Sequence, residues 1–382
     1  MTSAQARAQD TLAYFERHLD AYLTDLRELV AIESPTHHLP GIKKAALWLQ
    51  TQFAGLGELR RFETEAGTVL RLFRRGSGPR VLLLAHYDTV HPVGSWKKLW
   101  REERGRIYGP GVYDMKAGLL FILWALRYLG ASGAEHPNLE VLLTPDEEVG
   151  SVTSRIFIED AARGADYALV LEPPTGAGDL KVHRKGVGWY KLRVHGKAAH
   201  QGVEPEKGVN AIVEAAHQVL RVVEAQDLEK GTTLGPNVVR GGTAGNVVAD
   251  YAEVLVDLRA WTLEEAERVD RFMRALEPVH PGARLELEGG LNRPPMEPTP
   301  ESLALFELAR GVARDLGFDS KPGKVGGGSD GNFTANLGVP TLDGLGAAGA
   351  DAHQHSERIV TAELPRRMAL LAELLTRLVR DA

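Results

Sequence analysis

Four branched apolar residues, Val81-Leu82-Leu83-Leu84, run without alternation into Ala85-His86-Tyr87-Asp88. A short apolar run of this kind predicts a strand buried on both faces, as in the central sheet of an α/β protein. Side chains two apart on a strand share a face, so His86 and Asp88 point the same way. Two further runs end similarly. Leu139 to Thr144 leads into Pro145-Asp146-Glu147-Glu148, and Tyr167 to Leu171 leads into Glu172. Open α/β sheets keep their sites at the carboxyl ends of strands. Three endings rich in imidazole and carboxylate are hard to read as solvated loops alone.

Between these runs the apolar period changes to three or four residues. Leu12, Phe15, Leu19, Leu23, Leu26 and Val30 predict one amphipathic helix, stopped by Ser34-Pro35. Further helices are expected over about 41–54, 117–129, 156–162, 301–316 and 362–380, with a strand pair over 59–64 and 69–74. From Lys181 to His195 the pattern alternates like an antiparallel strand pair. A helix over 209–223, strands near 237–240 and 252–260, a helix over 263–276 and a strand over 284–288 follow. That order predicts a small α+β, ferredoxin-like unit inserted in an α/β domain. The expected division is 1–178 with 290–382 for the larger domain and 179–289 for the insert. Trp96, Trp100 and the glycine-dense stretch 326–333 fall in loops, as does most of 343–357.

Composition narrows the chemistry. The 382 residues carry a formal net charge of -6 with no long basic run, which argues against nucleic acid as a partner. There is no cysteine, so a metal here must take His, Asp and Glu, a set that suits zinc, manganese or cobalt. The first residues lack the apolar core of a secretory signal, and the longest apolar run, 118–126, is too short for a bilayer span. A soluble, cytoplasmic protein is therefore expected. Gly344-Leu345-Gly346-Ala347-Ala348-Gly349 has a dinucleotide-fingerprint form, but neither a βαβ unit precedes it nor a helix follows. Gly327-Gly328-Ser329-Asp330-Gly331 has the form of a hydrolase nucleophile elbow, without a buried strand before it.

Six segments, taken together, carry a resemblance. They are His86-Tyr87-Asp88-Thr89-Val90, Gly111-Val112-Tyr113-Asp114-Met115-Lys116-Ala117-Gly118, Asp146-Glu147-Glu148-Val149-Gly150, Leu171-Glu172-Pro173, Gly196-Lys197-Ala198-Ala199-His200-Gln201-Gly202 and Ala352-His353-Gln354-His355-Ser356-Glu357. In this order they resemble the motifs of the aminoacylase/carboxypeptidase G family of two-zinc metallopeptidases. The resemblance implies a zinc-peptidase-type α/β/α catalytic domain with a lid that also dimerises. It implies His86, Asp114, Glu148, Glu172 and His353 as metal ligands, with Asp114 bridging two Zn2+, for which Co2+ or Mn2+ could substitute. Glu147 is implied as general base and Asp88 as the residue behind the histidine ligand. The family's His-x-x-x-Glu spacing selects His353 over His355. Three carboxylates and a bridging hydroxide would balance two divalent ions, and each ion would have the four ligands zinc prefers.

The same resemblance implies that His200 stabilises the oxyanion, often from the partner subunit of a homodimer. Asn246, Arg259 and the backbone around Gly328 are implied contacts for a substrate carboxylate, for which an Arg fork is the best match. Lys207, Arg293 and Lys324 are candidates for a second anionic group. The expected reaction on a small-molecule substrate is hydrolysis of an amide next to a free carboxylate, by a carboxypeptidase of the glutamate-releasing type. An N-acyl-amino-acid deacylase, of the acetylornithine, acetyllysine or succinyl-diaminopimelate type, is the alternative. A non-catalytic metal-binding homologue is a minor one.

Overall fold

The computed structural model describes residues 2–380, so Met1, Asp381 and Ala382, at the ends of the expected larger domain, lie outside the described residues. The chain divides into two compact units, residues 1–183, 298–325 and 329–382, and residues 184–297 with 326–328. The insert, expected over 179–289, thus runs over 184–297 and includes a few residues of the glycine-dense loop.

The first unit is organised by a six-stranded sheet in the order Glu58–Glu63, Thr68–Arg74, Asn138–Thr144, Arg80–His86, Tyr167–Val170 and Thr341–Leu342. Arg80–His86 pairs in parallel with both Asn138–Thr144 and Tyr167–Val170, at the centre of the sheet. Val81, Leu83 and Ala85 enter the main core with the helices Leu19–Val30, Ala117–Ser132 and Leu364–Arg380. Leu82 and Leu84 enter a second core with Ile158 and Phe333. The unbroken apolar run is thus explained by burial on both faces, and its end reaches the edge of the sheet where the loops begin.

Two glycines let the chain pass closely there. A Cβ on Gly118, in the first turn of Ala117–Ser132, would lie 2.0 Å from the Leu171 carbonyl oxygen. A Cβ on Gly346 would lie 2.3 Å from the same oxygen. The glycine run 344–349 is therefore a device for threading backbone past Leu171 and Glu172, not a nucleotide loop. Ser329 is likewise no exposed nucleophile, because its fully buried Oγ donates to Asp343 Oδ2 at 2.6 Å.

Three expectations need correction. The predicted single helix through Val30 is two, Ser3–Arg17 and Leu19–Val30, broken at His18, whose Nδ1 lies 2.7 Å from the Tyr14 carbonyl oxygen. Apolar periodicity continues across the break and so hides it. Residues 181–195 do not form a hairpin: Leu180–Arg184 pairs with Pro322–Val325, while Gly186–His195 joins another sheet. Alternation identifies a strand without naming its partner. The loop containing Trp96 and Trp100 leads into strands Arg101–Glu103 and Arg106–Tyr108, which join Arg358–Val360 and Gly349–Ala350 in a small sheet.

The second unit is a four-stranded antiparallel sheet in the order Thr233–Gly241, Tyr251–Ala260, Gly186–His195 and Arg284–Arg293, with helices Ala211–Glu224 and Leu263–Arg274. Chain order βαββαβ with this strand order is ferredoxin-like. Its own core contains Tyr190, Leu192, Val222, Val254, Leu258 and Met273. Among the described residues, no helix is long and apolar enough to cross a membrane.

Candidate metal centre

His86 is the last residue of strand Arg80–His86. Its Nδ1 lies 3.1 Å from the Asp88 carbonyl oxygen and 3.2 Å from Asp88 Oδ1, which leaves Nε2 facing Asp114 and Glu172. Strand Asn138–Thr144 is followed by a single tight turn, Glu147–Val149. The Asp88 carboxylate accepts from the backbone N–H of Glu147 and of Glu148, each at 3.2 Å, and from Thr36 Oγ1 at 2.8 Å. Consecutive glutamates would diverge on a regular strand. Here one buried carboxylate fixes both the His86 ring and the bend that follows the strand.

Asp114 comes from the irregular turn Val112–Lys116, where its peptide bond to Met115 is cis. Glu172 lies two residues beyond strand Tyr167–Val170. His353 lies in a loop with a backbone φ of +65°, a left-handed conformation uncommon outside glycine and found disproportionately at functional sites. His86, Asp114 and Glu172 form one group of converging donor atoms, and Asp114, Glu148 and His353 form a second. Asp114 belongs to both.

The spacing can be tested against an ion. His86 Nε2 is 3.3 Å from Asp114 Oδ1 and 3.4 Å from Glu172 Oε1. His353 Nε2 is 3.2 Å from Asp114 Oδ2 and 3.2 Å from Glu148 Oε2. Four ligands arranged tetrahedrally at zinc bond lengths of about 2.0–2.1 Å stand about 3.3–3.4 Å from one another. Each histidine nitrogen thus already stands from its two carboxylates at the edge length of such a polyhedron. Three of their buried atoms, His86 Nε2, Asp114 Oδ1 and Glu148 Oε1, have no hydrogen-bond partner. Unsatisfied buried polar atoms are uncommon in folded proteins, and an ion is one of their recognised explanations. The residues present fit a pair of divalent cations.

The remaining expected residues are placed as follows. Glu147 Oε2 is 3.9 Å from His86 Nε2, facing the first group without belonging to it. His355 is exposed and lies tilted beside Trp96, with ring centroids 5.6 Å apart. His200, Asn246, Arg259 and Gly328 belong to the second unit. Exposed His200 bridges to Val247 through backbone, and its Nδ1 accepts from the Gly202 N–H. Asn246 is exposed in the facing turn, and its carbonyl oxygen accepts from the Gln201 N–H. Arg259 is engaged by Asp257, with Nε 2.9 Å from Oδ1 and Nη2 3.0 Å from Oδ2. The Gly327 and Gly328 carbonyl oxygens accept from Arg184 Nη1. Exposed Lys207 pairs with Glu204, Lys324 is exposed, and Arg293 is buried. The sequence reading gave no role to His91 or Glu357, which prove to be hydrogen-bonded to each other beneath the Asp114 turn. The His-x-x-x-Glu spacing was the only sign of Glu357.

A parallel-centred sheet whose carboxyl edge gathers two imidazole–carboxylate groups around one aspartate defines a metallopeptidase or amidohydrolase of the dinuclear type. Residues 82–377 match the model of Peptidase family M20/M25/M40, and the chain belongs to that family. It is 31% identical to carboxypeptidase G2 of Pseudomonas sp. strain RS-16 over 369 residues, covering 93% of this chain and 88% of that protein. It is 32% identical to succinyl-diaminopimelate desuccinylase of Bordetella petrii over 367 residues, covering 90% and 94%. The fold is shared with aminopeptidase PepT of Bacillus cereus, with a TM-score of 0.74 at 24% identity, covering 94% of this chain and 98% of that one.

Electrostatics of the metal-free cluster give a pH signature. Burial disfavours a charged His86, but Asp114, Asp88 and Glu172 outweigh it and raise the imidazole well above its ordinary range. The Asp114 and Glu148 carboxylates push His353 up to about 11. Burial and the Asp114 charge push Glu148 up to about 7. Both imidazoles are therefore protonated at neutral pH, and ligation requires them neutral. Loading the metal-free protein at pH 7 should release at least two protons per chain, from the two imidazoles and from the part of Glu148 still protonated, and metal affinity should climb with pH. A pH-stat titration with zinc measures this. No proton release, or an affinity unchanged between pH 6 and 8, would contradict protonated imidazoles in the metal-free cluster.

Proposed function

We propose that the chain is a zinc-dependent carboxypeptidase that hydrolyses the amide next to a free carboxylate and releases a C-terminal glutamate-type residue. The observation that carries the chemistry is the pair of donor groups sharing Asp114, with Glu147 beside them. His86, Asp114 and Glu172 would hold one ion, and Asp114, Glu148 and His353 the other. Such a pair polarises the scissile carbonyl and acidifies a water. Glu147, outside both groups but facing the first, takes a proton from the attacking water and returns it to the leaving amine. Asp88 keeps the His86 ring turned and the Glu147 backbone in place. His200 is assigned to the oxyanion, and Arg259 with Asn246 and the Gly328 backbone to the substrate carboxylate. Arg259 would exchange its Asp257 partner for that carboxylate.

The choice of branch rests on a cavity of about 480 Å³ beside Glu148, with Pro35, Val90, Pro92, Val93 and Val149 as its apolar wall and Thr36, His37, His38 and Thr89 as its polar one. Val90, Val93 and Val149 are exposed apolar side chains, and such exposure beside polar catalytic groups is typical of a ligand pocket. No Lys or Arg lines it. The basic side chains on its wall are the imidazoles of His37 and His38, so the added charge of a succinyl or diaminopimelyl group would meet no permanently charged partner there. An apolar or aromatic acyl group meets no such cost. Relatives named succinyl-diaminopimelate desuccinylase and acetylornithine deacetylase keep the deacylase as the second reading.

The zinc-loaded enzyme should release glutamate from N-acyl-glutamates with apolar acyl groups faster than it turns over N-acetylornithine or N-succinyl-diaminopimelate. Glu147→Gln should keep its two ions yet lose about 10²–10⁴-fold in kcat. Preference for the acetylated or succinylated basic amino acids would overturn the branch; near-normal turnover by Glu147→Gln would overturn the base.

We also propose a homodimer formed through the second unit. Its helix Ala211–Glu224 presents Ile212, Val213, Leu220 and Val223 to solvent, and its sheet has two open edges. Mixing a His200→Ala chain with a Glu147→Gln chain should restore part of the activity if His200 acts across the dimer. A monomeric mass at micromolar concentration would remove this proposal.

A further inference from the structure

Glu357 is fully buried, and both of its oxygens are doubly engaged. Oε1 accepts the backbone N–H of Tyr113 at 2.8 Å and of Asp114 at 2.9 Å. Oε2 accepts the N–H of Gly111 at 3.0 Å and lies 2.6 Å from His91 Nε2. These bonds span up to 266 residues of sequence. The turn Val112–Lys116 has no capping side chain of its own. Glu357 supplies that cap from the far end of the chain, since a helix start leaves its first N–H groups unsatisfied. The chain enters the turn through Gly111 in a left-handed conformation, where a Cβ would lie 2.4 Å from Thr89 Cγ2. The approach is therefore fixed on both sides, by the glycine contact and by the carboxylate.

The placement of Glu357 matters as much as its bonds. It lies four residues after His353, in the same loop, and its main-chain N–H donates to the Gln354 carbonyl oxygen. The Glu357 side chain thus ties the loop carrying one candidate histidine ligand to the turn carrying the shared aspartate. His91, buried like Glu357, closes the network from the segment that follows Asp88.

We infer that Glu357, braced by His91, is a positioning residue that sets the affinity of both metal positions together, although it touches neither. This inference rests on the reading that the two donor groups hold metal. Because Asp114 belongs to both groups, a displaced turn weakens both ions at once. Loss of a ligand found in one group, such as Glu172, weakens chiefly one. Glu357→Gln replaces one acceptor oxygen with an NH2 donor that faces at least one backbone N–H in either amide orientation, so the turn cannot keep all four bonds.

The test is zinc competition against a chromophoric chelator, with visible absorption of the cobalt-loaded protein as a second readout. Wild type, Glu357→Gln and Glu172→Gln are compared at a temperature where circular dichroism shows each to be folded. Glu357→Gln should lose about 10- to 100-fold in affinity at both positions in parallel, with a changed cobalt spectrum, the range usual for groups that orient metal ligands. Glu172→Gln should weaken mainly one position. Two ions bound by Glu357→Gln with wild-type affinity and spectrum, or loss of one ion alone, would overturn the inference. Should Glu357→Gln not fold, His91→Asn, which removes one bond of four, carries the test: a smaller parallel loss supports the inference, and unchanged affinities overturn it. Failure of the wild-type chain to take up two ions would instead sink the metal reading on which it rests.

Discussion

Crowded negative charge is the constraint on which the rest of this structure depends. Asp114, Glu148 and Glu172 converge with two imidazoles, and Glu147 stands 3.9 Å from one of them. Burying like charges together is unfavourable unless positive charge compensates them. Burial first, and then the Asp114 charge beside it, raises Glu148 to about 7. A protein keeps such an arrangement where cations resolve it, and much of the surrounding fold holds the carboxylates in place. Gly118 and Gly346 allow backbone to pack against Leu171, beside Glu172. Asp88 restrains His86 and the Glu147–Val149 turn, and Glu357 restrains the Asp114 turn.

Both restraints use a buried carboxylate to collect backbone N–H groups from an irregular turn. Charge-assisted bonds of this kind are stronger than neutral ones, and they leave few donors unsatisfied where regular structure stops. The turns themselves are irregular because each must aim a side chain that a regular strand or helix would send elsewhere. His353 shows the same need, with its left-handed backbone.

The parts legible in the sequence were those governed by local period and short motifs. The run Val81–Leu84 announces a doubly buried strand, and His86 with Asp88 follows from a spacing of two. The ferredoxin-like insert is legible from its order of elements, because alternation and helical period switch cleanly. What could not be read depends on contacts between distant segments. Nothing local indicates that Leu180–Arg184 pairs with Pro322–Val325 rather than with its sequence neighbour. His91 and Glu357 are 266 residues apart, and nothing in the local pattern of either names the other as its partner. The break at His18 was hidden because apolar residues keep their period across it.

The most direct test of a shared-aspartate metal pair is a crystal of the zinc-loaded protein measured at the zinc absorption edge. The anomalous difference map should show two peaks about 3.5–4 Å apart. One should lie against His86 and Glu172, the other against Glu148 and His353, with Asp114 reaching both. A single peak, or a second ion held by His355 in place of His353, would contradict it.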